Sequence, residues 1–213
     1  MSVVVKNFQN IRSSINNSNV NIIAVSKTFS LDKIKPLVDF GHNHFGENKV
    51  QEAKDKWLNI RQNNPNLKLH MIGKLQTNKA KDAVQLFDYI HSVDSEKLAK
   101  AIAKYENLFK KKNKYFIQVN IGNEPQKSGV NISQVSEFYF LCKKISLNVI
   151  GLMCIPPNNN NSKKYFIDLF KLNKSLKLDQ VSMGMSSDFL EAIQCGSTFV
   201  RIGNGIFGDR ETK

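Results

Sequence analysis

The sequence predicts an α/β protein, a (β/α)8 TIM barrel, on three observations. Short apolar runs and amphipathic helical stretches alternate along the chain; the runs number eight; and none is left over with the polar alternation of a sheet edge. Apolar strands each followed by a helix imply parallel pairing, because a helical crossover returns the chain to the same end of the sheet. An open doubly wound sheet is the alternative, disfavoured by the missing edge strand. The chain has 213 residues and is 41% hydrophobic, enough for one sizeable core, so a single domain over 1–213 with no second domain is expected.

An opening helix over about 1–17 is predicted from Val4, Phe8, Ile11 and Ile15 at helical spacing. The first strand follows at 21–26 and ends at Lys27. Ile34, Leu37 and Val38 mark a short helical segment, irregular around Pro36 and stopped by Gly41. His44-Phe45 is a brief strand; Gly46-Glu47-Asn48 leads to a helix with Val50, Ala53, Trp57 and Ile60 on one side. The third strand covers 67–72 and ends at Gly73, before a helix marked by Ala80, Ala83, Val84 and Phe87. Strand four is 89–93; Asp94-Ser95 then caps a helix displaying Leu98, Ile102, Tyr105 and Leu108.

The fifth strand, 115–120, opens into a polar loop from Gly122 to Gly129, longer than a bare connection requires. Val135, Phe138, Cys142 and Ile145 share a helix face before a sixth strand at 148–153. Pro156-Pro157 and the asparagine run 158–161 form a loop, and Phe166, Leu169, Leu172 and Leu176 mark the next helix. Val181-Ser182-Met183 is strand seven, broken by Gly184; Ser186-Ser187-Asp188 offers capping oxygens to a short helix that stops at Gly196. Phe199 to Ile202 is strand eight, ended by Gly203-Asn204-Gly205, after which Ile206 and Phe207 begin an apolar turn.

Composition narrows the function. No run of about eighteen apolar residues could cross a membrane, and the N-terminus lacks a signal-peptide pattern. A cytoplasmic location is therefore expected. The three cysteines, Cys142, Cys154 and Cys195, are far apart without metal-ligand spacing and read as small buried hydrophobes. A formal charge of +13 invites a nucleic-acid hypothesis, but the lysines are spread along every segment and form no basic stripe interleaved with aromatics. No nucleic-acid partner and no membrane partner are expected.

The densest chemical signal is the stretch 181–208. Two strand ends there are each followed by small residues opening a helical turn, which directs two sets of backbone N–H groups toward one region and suits a phosphate. In barrels of this kind phosphate often sits on the loops after strands seven and eight, where these residues fall. Lys27 ends strand one at the barrel mouth. Position alone leaves it open between a solvated strand-end lysine and a partly desolvated amine, nucleophilic toward an aldehyde. A mouth lysine combined with a phosphate cradle across the barrel matches what pyridoxal phosphate requires.

Motifs along nearly the whole chain carry a resemblance. They are Ala24-Val25-Ser26-Lys27-Thr28, Phe45-Gly46-Glu47-Asn48, His70-Met71-Ile72-Gly73, Lys127-Ser128-Gly129, Gly151-Leu152-Met153, Ser182 to Ser186 with Asp188, and Val200-Arg201-Ile202-Gly203. In these the chain resembles the YggS/PROSC family of pyridoxal phosphate homeostasis proteins. The resemblance implies a barrel like the N-terminal domain of alanine racemase and an internal aldimine (a Schiff base) at Lys27. It also implies phosphate near Ser186 and Gly203-Asn204, Arg201 facing the pyridine nitrogen, Met185 among the cofactor-binding residues, and Asn48 and Lys127 at the mouth. Two departures stand out: Phe29 replaces a second lysine common after the Lys-Thr pair, and Asn204 replaces a frequent Ser or Thr.

Arg201 against the ring nitrogen would keep that nitrogen unprotonated and the ring a weak electron sink. A non-catalytic carrier that holds pyridoxal 5'-phosphate and passes it on is therefore expected ahead of a low-activity amino-acid racemase, with a nucleic-acid binder as the remaining alternative. Recipients of the cofactor would be PLP-dependent apoenzymes, and the chain is expected to be a monomer.

Overall fold

Nine strands, all paired in parallel, run through the computed structural model, which describes residues 2–158 and 161–209. They are β1 (Asn21–Val25), β2 (His44–Glu47), β3 (Lys68–Met71), β4 (Tyr89–Val93), β5 (Lys114–Asn120), β6 (Val130–Asn131), β7 (Val149–Cys154), β8 (Gln180–Met185) and β9 (Phe199–Ile202). Eight of them close a ring. β1 pairs with both β2 and β9, the order continues through β3 and β4 on one side and β8, β7 and β5 on the other, and β4 joins β5. The expected (β/α)8 barrel is formed. Both ends of the 1–213 span and the middle of the predicted asparagine loop lie outside the described residues.

The helices are α1 (Val3–Ser14), α2 (Leu31–Asp39), α3 (Val50–Asn63), α4 (Ala80–Leu86), α5 (Glu96–Phe109), α6 (Val135–Lys144), α7 (Ser162–Ser175), α8 (Phe189–Gln194) and α9 (Asn204–Phe207). Each buries one apolar stripe against the outer faces of the strands: Leu98, Ala99 and Ile102 from α5, Phe166 and Leu169 from α7. Alternation along a strand sends the other set of side chains inward. Ile23, Tyr89, Phe116, Met153 and Phe199 form this separate inner cluster.

Three local expectations change. Helix α2 runs unbroken through Pro36 near its C-terminal end, where losing one backbone donor costs little continuity. The polar loop after β5 carries the two-residue strand β6, which pairs with Val119 and Asn120 and is too short for periodicity to reveal. Finally, neither Asp94-Ser95 nor Ser186-Ser187-Asp188 gives a helix a side-chain cap. Asp188 instead accepts a 2.6 Å bond from the Met185 N–H, turned back onto the end of β8.

Candidate functional site

Lys27 leaves β1 in a tight turn and is half-buried. Three charged residues of β2 and α3 hold that turn. Lys56 Nζ donates to the Ser26 carbonyl at 2.8 Å and to Glu47 at 3.0 Å. The Glu47 carboxylate, fully buried, also accepts from the Ser26 hydroxyl at 2.7 Å and from the Trp57 indole N–H at 2.9 Å. Glu52 accepts from the Thr28 N–H at 2.5 Å, and Thr28 adopts a left-handed φ of 68°. Burial raises the Glu52 carboxyl, yet the Thr28 N–H and Lys56 outweigh it and hold its pKa below the ordinary value. A residue flanked by such anchors has a backbone that is fixed rather than wandering.

Strand pairing decides what stands beside Lys27. Ile23 is level with Arg201 and Ala24 with Ile202, so the ends of β1 and β9 are neighbours. The lysine and the Gly203 turn are therefore adjacent, and the expectation that they face each other across the barrel is corrected. Eight staves in a ring make the first and last partners, whatever their separation in sequence. A side-chain carbon on Gly203 would lie 3.4 Å from Val25 Cβ, which shows how closely the two strand ends approach.

Arg201 is buried inside the barrel, donating to Ser182 Oγ at 2.8 Å and to the Cys154 carbonyl at 2.8 Å. No carboxylate of the described residues forms an ion pair with it. Burial lowers the guanidinium pKa from its ordinary value, with Cys154 and Asp188 opposing. Met185 lies level with Arg201 on β8 and is half-buried. Ser186, exposed, meets the following turn directly, its Oγ accepting from the Gly205 N–H at 3.4 Å. The loops after β8 and β9 thus sit side by side. Asn204 is also exposed, but its amide leans toward Asp209 at 3.4 Å rather than toward Ser186.

Asn48 follows β2, the neighbour of β1, and Lys127 lies in the loop after β5, across the ring. They line a cavity of about 350 Å3 with Gly73, Lys74, Gln118 and Asn120, a volume that accommodates a small molecule. The Lys127 ammonium donates to the Pro156 carbonyl at 3.2 Å, bridging the loops after β5 and β7. Lys27, Arg201, Ser186, Gly203 and Asn204 do not line this cavity, so the expected residues fall into two groups on one rim.

Known proteins show the family to which the chain belongs. Residues 2–211 match the family described as alanine racemase, N-terminal domain. The pyridoxal phosphate homeostasis protein of Vibrio cholerae is 37% identical over 205 residues, covering 91% of this chain and 87% of the relative. The chain belongs to the pyridoxal phosphate homeostasis protein family. Among solved structures, PipY of Synechococcus elongatus with PLP bound superposes on this family member with a TM-score of 0.89 and 32% identity, covering 97% of this chain and all of PipY. Alanine racemase of Clostridium difficile, 16% identical with a TM-score of 0.76, shares the fold, and this chain spans 57% of its length.

The sequence reading of this homeostasis-family chain missed Lys56, Trp57 and all four histidines. Trp57 reads as one of the apolar positions on its helix and Lys56 carries no pattern of its own, and only the tertiary contacts tie them to Glu47. The histidines did carry a signal: β2, β3 and β4 each hold one at an inward position, namely His44, His70 and His91.

Proposed function

We propose that the chain binds pyridoxal 5'-phosphate at the C-terminal mouth of the barrel, holds it through Lys27, and releases it to PLP-dependent apoenzymes in the cytoplasm as a monomer. The observation that carries this reading is the β1–β9 pairing, which puts the anchored lysine turn beside Gly203 and the buried, carboxylate-free guanidinium of Arg201. When bound, the cofactor supplies an aldehyde that condenses with a primary amine as water leaves. Lys27 provides that amine. Ser186, Gly203 and the N–H groups of the adjoining turns provide donors for a phosphate, with Met185 and Asn204 flanking them and Asn48 after the neighbouring strand β2.

The residues fit such a group for two reasons. A buried arginine without a carboxylate partner accepts a neutral ring nitrogen or an anion more readily than a second cation. The Gly205 N–H and Ser186 Oγ meet at 3.4 Å, so the turns after β8 and β9 present their polar groups side by side. A fixed guanidinium beside the ring nitrogen opposes its protonation, which favours storage over carbanion chemistry. The family name of the relatives and the PLP-bound PipY structure support the same reading.

The test is a visible absorption spectrum of purified protein mixed with pyridoxal phosphate, before and after borohydride, for wild type and Lys27→Ala. Wild type should colour, and peptide mapping should place the reduced adduct on Lys27. A colourless wild type overturns the proposal, and amino-acid turnover well above that of free cofactor overturns the carrier role.

A further inference from the structure

Three histidines link Arg201 to the opposite end of the barrel. Arg201 Nη1 lies 2.8 Å from Ser182 Oγ, and Ser182 Oγ 2.9 Å from His91 Nδ1. His91 Nε2 lies 2.9 Å from His70 Nδ1, and His70 Nε2 2.8 Å from His44 Nδ1. His70 and His91 are fully buried, with His70 stacked on Tyr89 and His91 on Phe116, both at 4.3 Å between ring centres. His44 ends the series on the wall of a basal cavity of about 580 Å3.

Hydrogen-bond capacity orders the protons. A guanidinium only donates, so Ser182 Oγ must accept from Arg201. Ser182 Oγ is fully buried, and His91 Nδ1 is its other partner among the described residues. Its O–H has an acceptor only if that nitrogen is bare. His91 must then carry its proton on Nε2 and give it to His70 Nδ1, and His70 must do the same toward His44. The reverse order leaves a buried hydroxyl proton without a partner, a cost of about 1–3 kcal/mol.

We propose that Ser182 and His91 are positioning residues for Arg201, and that the donor-only guanidinium imposes one proton order on His91, His70 and His44, each with its proton on Nε2. The order has a consequence at each end. At the mouth, Ser182 turns a lone pair toward Arg201 and fixes the guanidinium plane together with the Cys154 carbonyl. At the base, His44 presents an N–H donor. Burial keeps His70 and His91 neutral, with His91 further disfavoured as a cation by Arg201, so the positive charge stays at the mouth.

The first experiment is nitrogen-15 NMR of histidine tautomers in the full chain without added cofactor, so its outcome is separate from the pyridoxal phosphate reading. All three rings should show the Nε2–H form. An Nδ1–H form at His91 overturns the proposal. The second compares Ser182→Ala, His91→Phe and His91→Asn by Arg201 side-chain NMR and by affinity for pyridoxal phosphate. An asparagine keeps an acceptor near the Nδ1 position, whereas phenylalanine removes it. Ser182→Ala and His91→Phe should broaden the resolved Arg201 Nη signals and weaken affinity by about fivefold to tenfold, while His91→Asn stays within about twofold. Unchanged Arg201 signals in Ser182→Ala, which removes one methyl-sized polar atom and should fold, reject the positioning role. If wild type shows the tautomer order and sharp Arg201 signals yet takes up no pyridoxal phosphate, the proton order stands and the cofactor reading fails.

Discussion

Lys56 Nζ donates to the carbonyl oxygen of Ser26 at 2.8 Å, although thirty positions separate the two residues. Ser26 immediately precedes Lys27, so a largely buried lysine of α3 anchors the backbone from which the Lys27 side chain leaves. The same ammonium satisfies Glu47 and Glu52, at 3.0 and 3.1 Å. Removing it leaves a fully buried carboxylate without its cation, a loss of about 3–5 kcal/mol. Lys56→Met should show this by urea unfolding and should retain less pyridoxal phosphate per mole. A variant as stable as wild type would show that the cluster is not a clamp.

Two glycines on the rim separate fold from function. At Gly73 an added Cβ would overlap the Asn48 carbonyl oxygen, so Gly73→Ala should displace backbone and cost about 1–3 kcal/mol. At Gly203 the new carbon meets Val25 at an ordinary 3.4 Å. Gly203→Ala should therefore unfold within about 1 kcal/mol of wild type while pyridoxal phosphate affinity drops, because the methyl crowds the approach to the turn. Calorimetry and a binding titration on the same samples check the contrast. Equal affinities would remove Gly203 from the site.

Acid should destabilise the protein before its carboxylates protonate. Burial holds His42 and His44 at about 4, below their ordinary value near 6.5, and pushes His70 and His91 down as well. The unfolded chain then binds more protons than the folded one between those values. Stability contributed by neutral burial is complete above about pH 6.5 and is lost as pH falls toward 4, by about 2–3 kcal/mol each for His42 and His44. Urea unfolding at pH 7, 6 and 5, read by the fluorescence of the single tryptophan, Trp57, should show a falling midpoint. A flat profile across that window contradicts neutral burial.

Thiol reactivity should rank the cysteines. Burial pushes Cys142 and Cys154 up to about 12, and both are enclosed; Cys195 is half-buried and its pKa is raised less. Native protein treated with a thiol reagent should label Cys195 first, and the other two only on unfolding. Early labelling of Cys154, whose carbonyl receives Arg201, would mean that the strand end opens in solution.

Much of the barrel was legible because its information is local. Apolar residues at intervals of two or between three and four mark strand or helix from immediate neighbours alone, and Gly41 and Gly196 stop helices with left-handed φ values of 93° and 94°. Lys27, Arg201 and the Gly203 turn were legible as strand ends, since a parallel barrel gathers all such ends on one face.

The chain's own residue pattern determined eight strand-helix units and hence the rim on which chemistry collects. Only the tertiary structure decided that Ser186 reaches Gly205 instead of capping α8, and that His44, His70, His91 and Ser182 join in one file beneath Arg201. Periodicity states which way a side chain points; register across the closed ring states what it meets, and that depends on strands far apart in the chain.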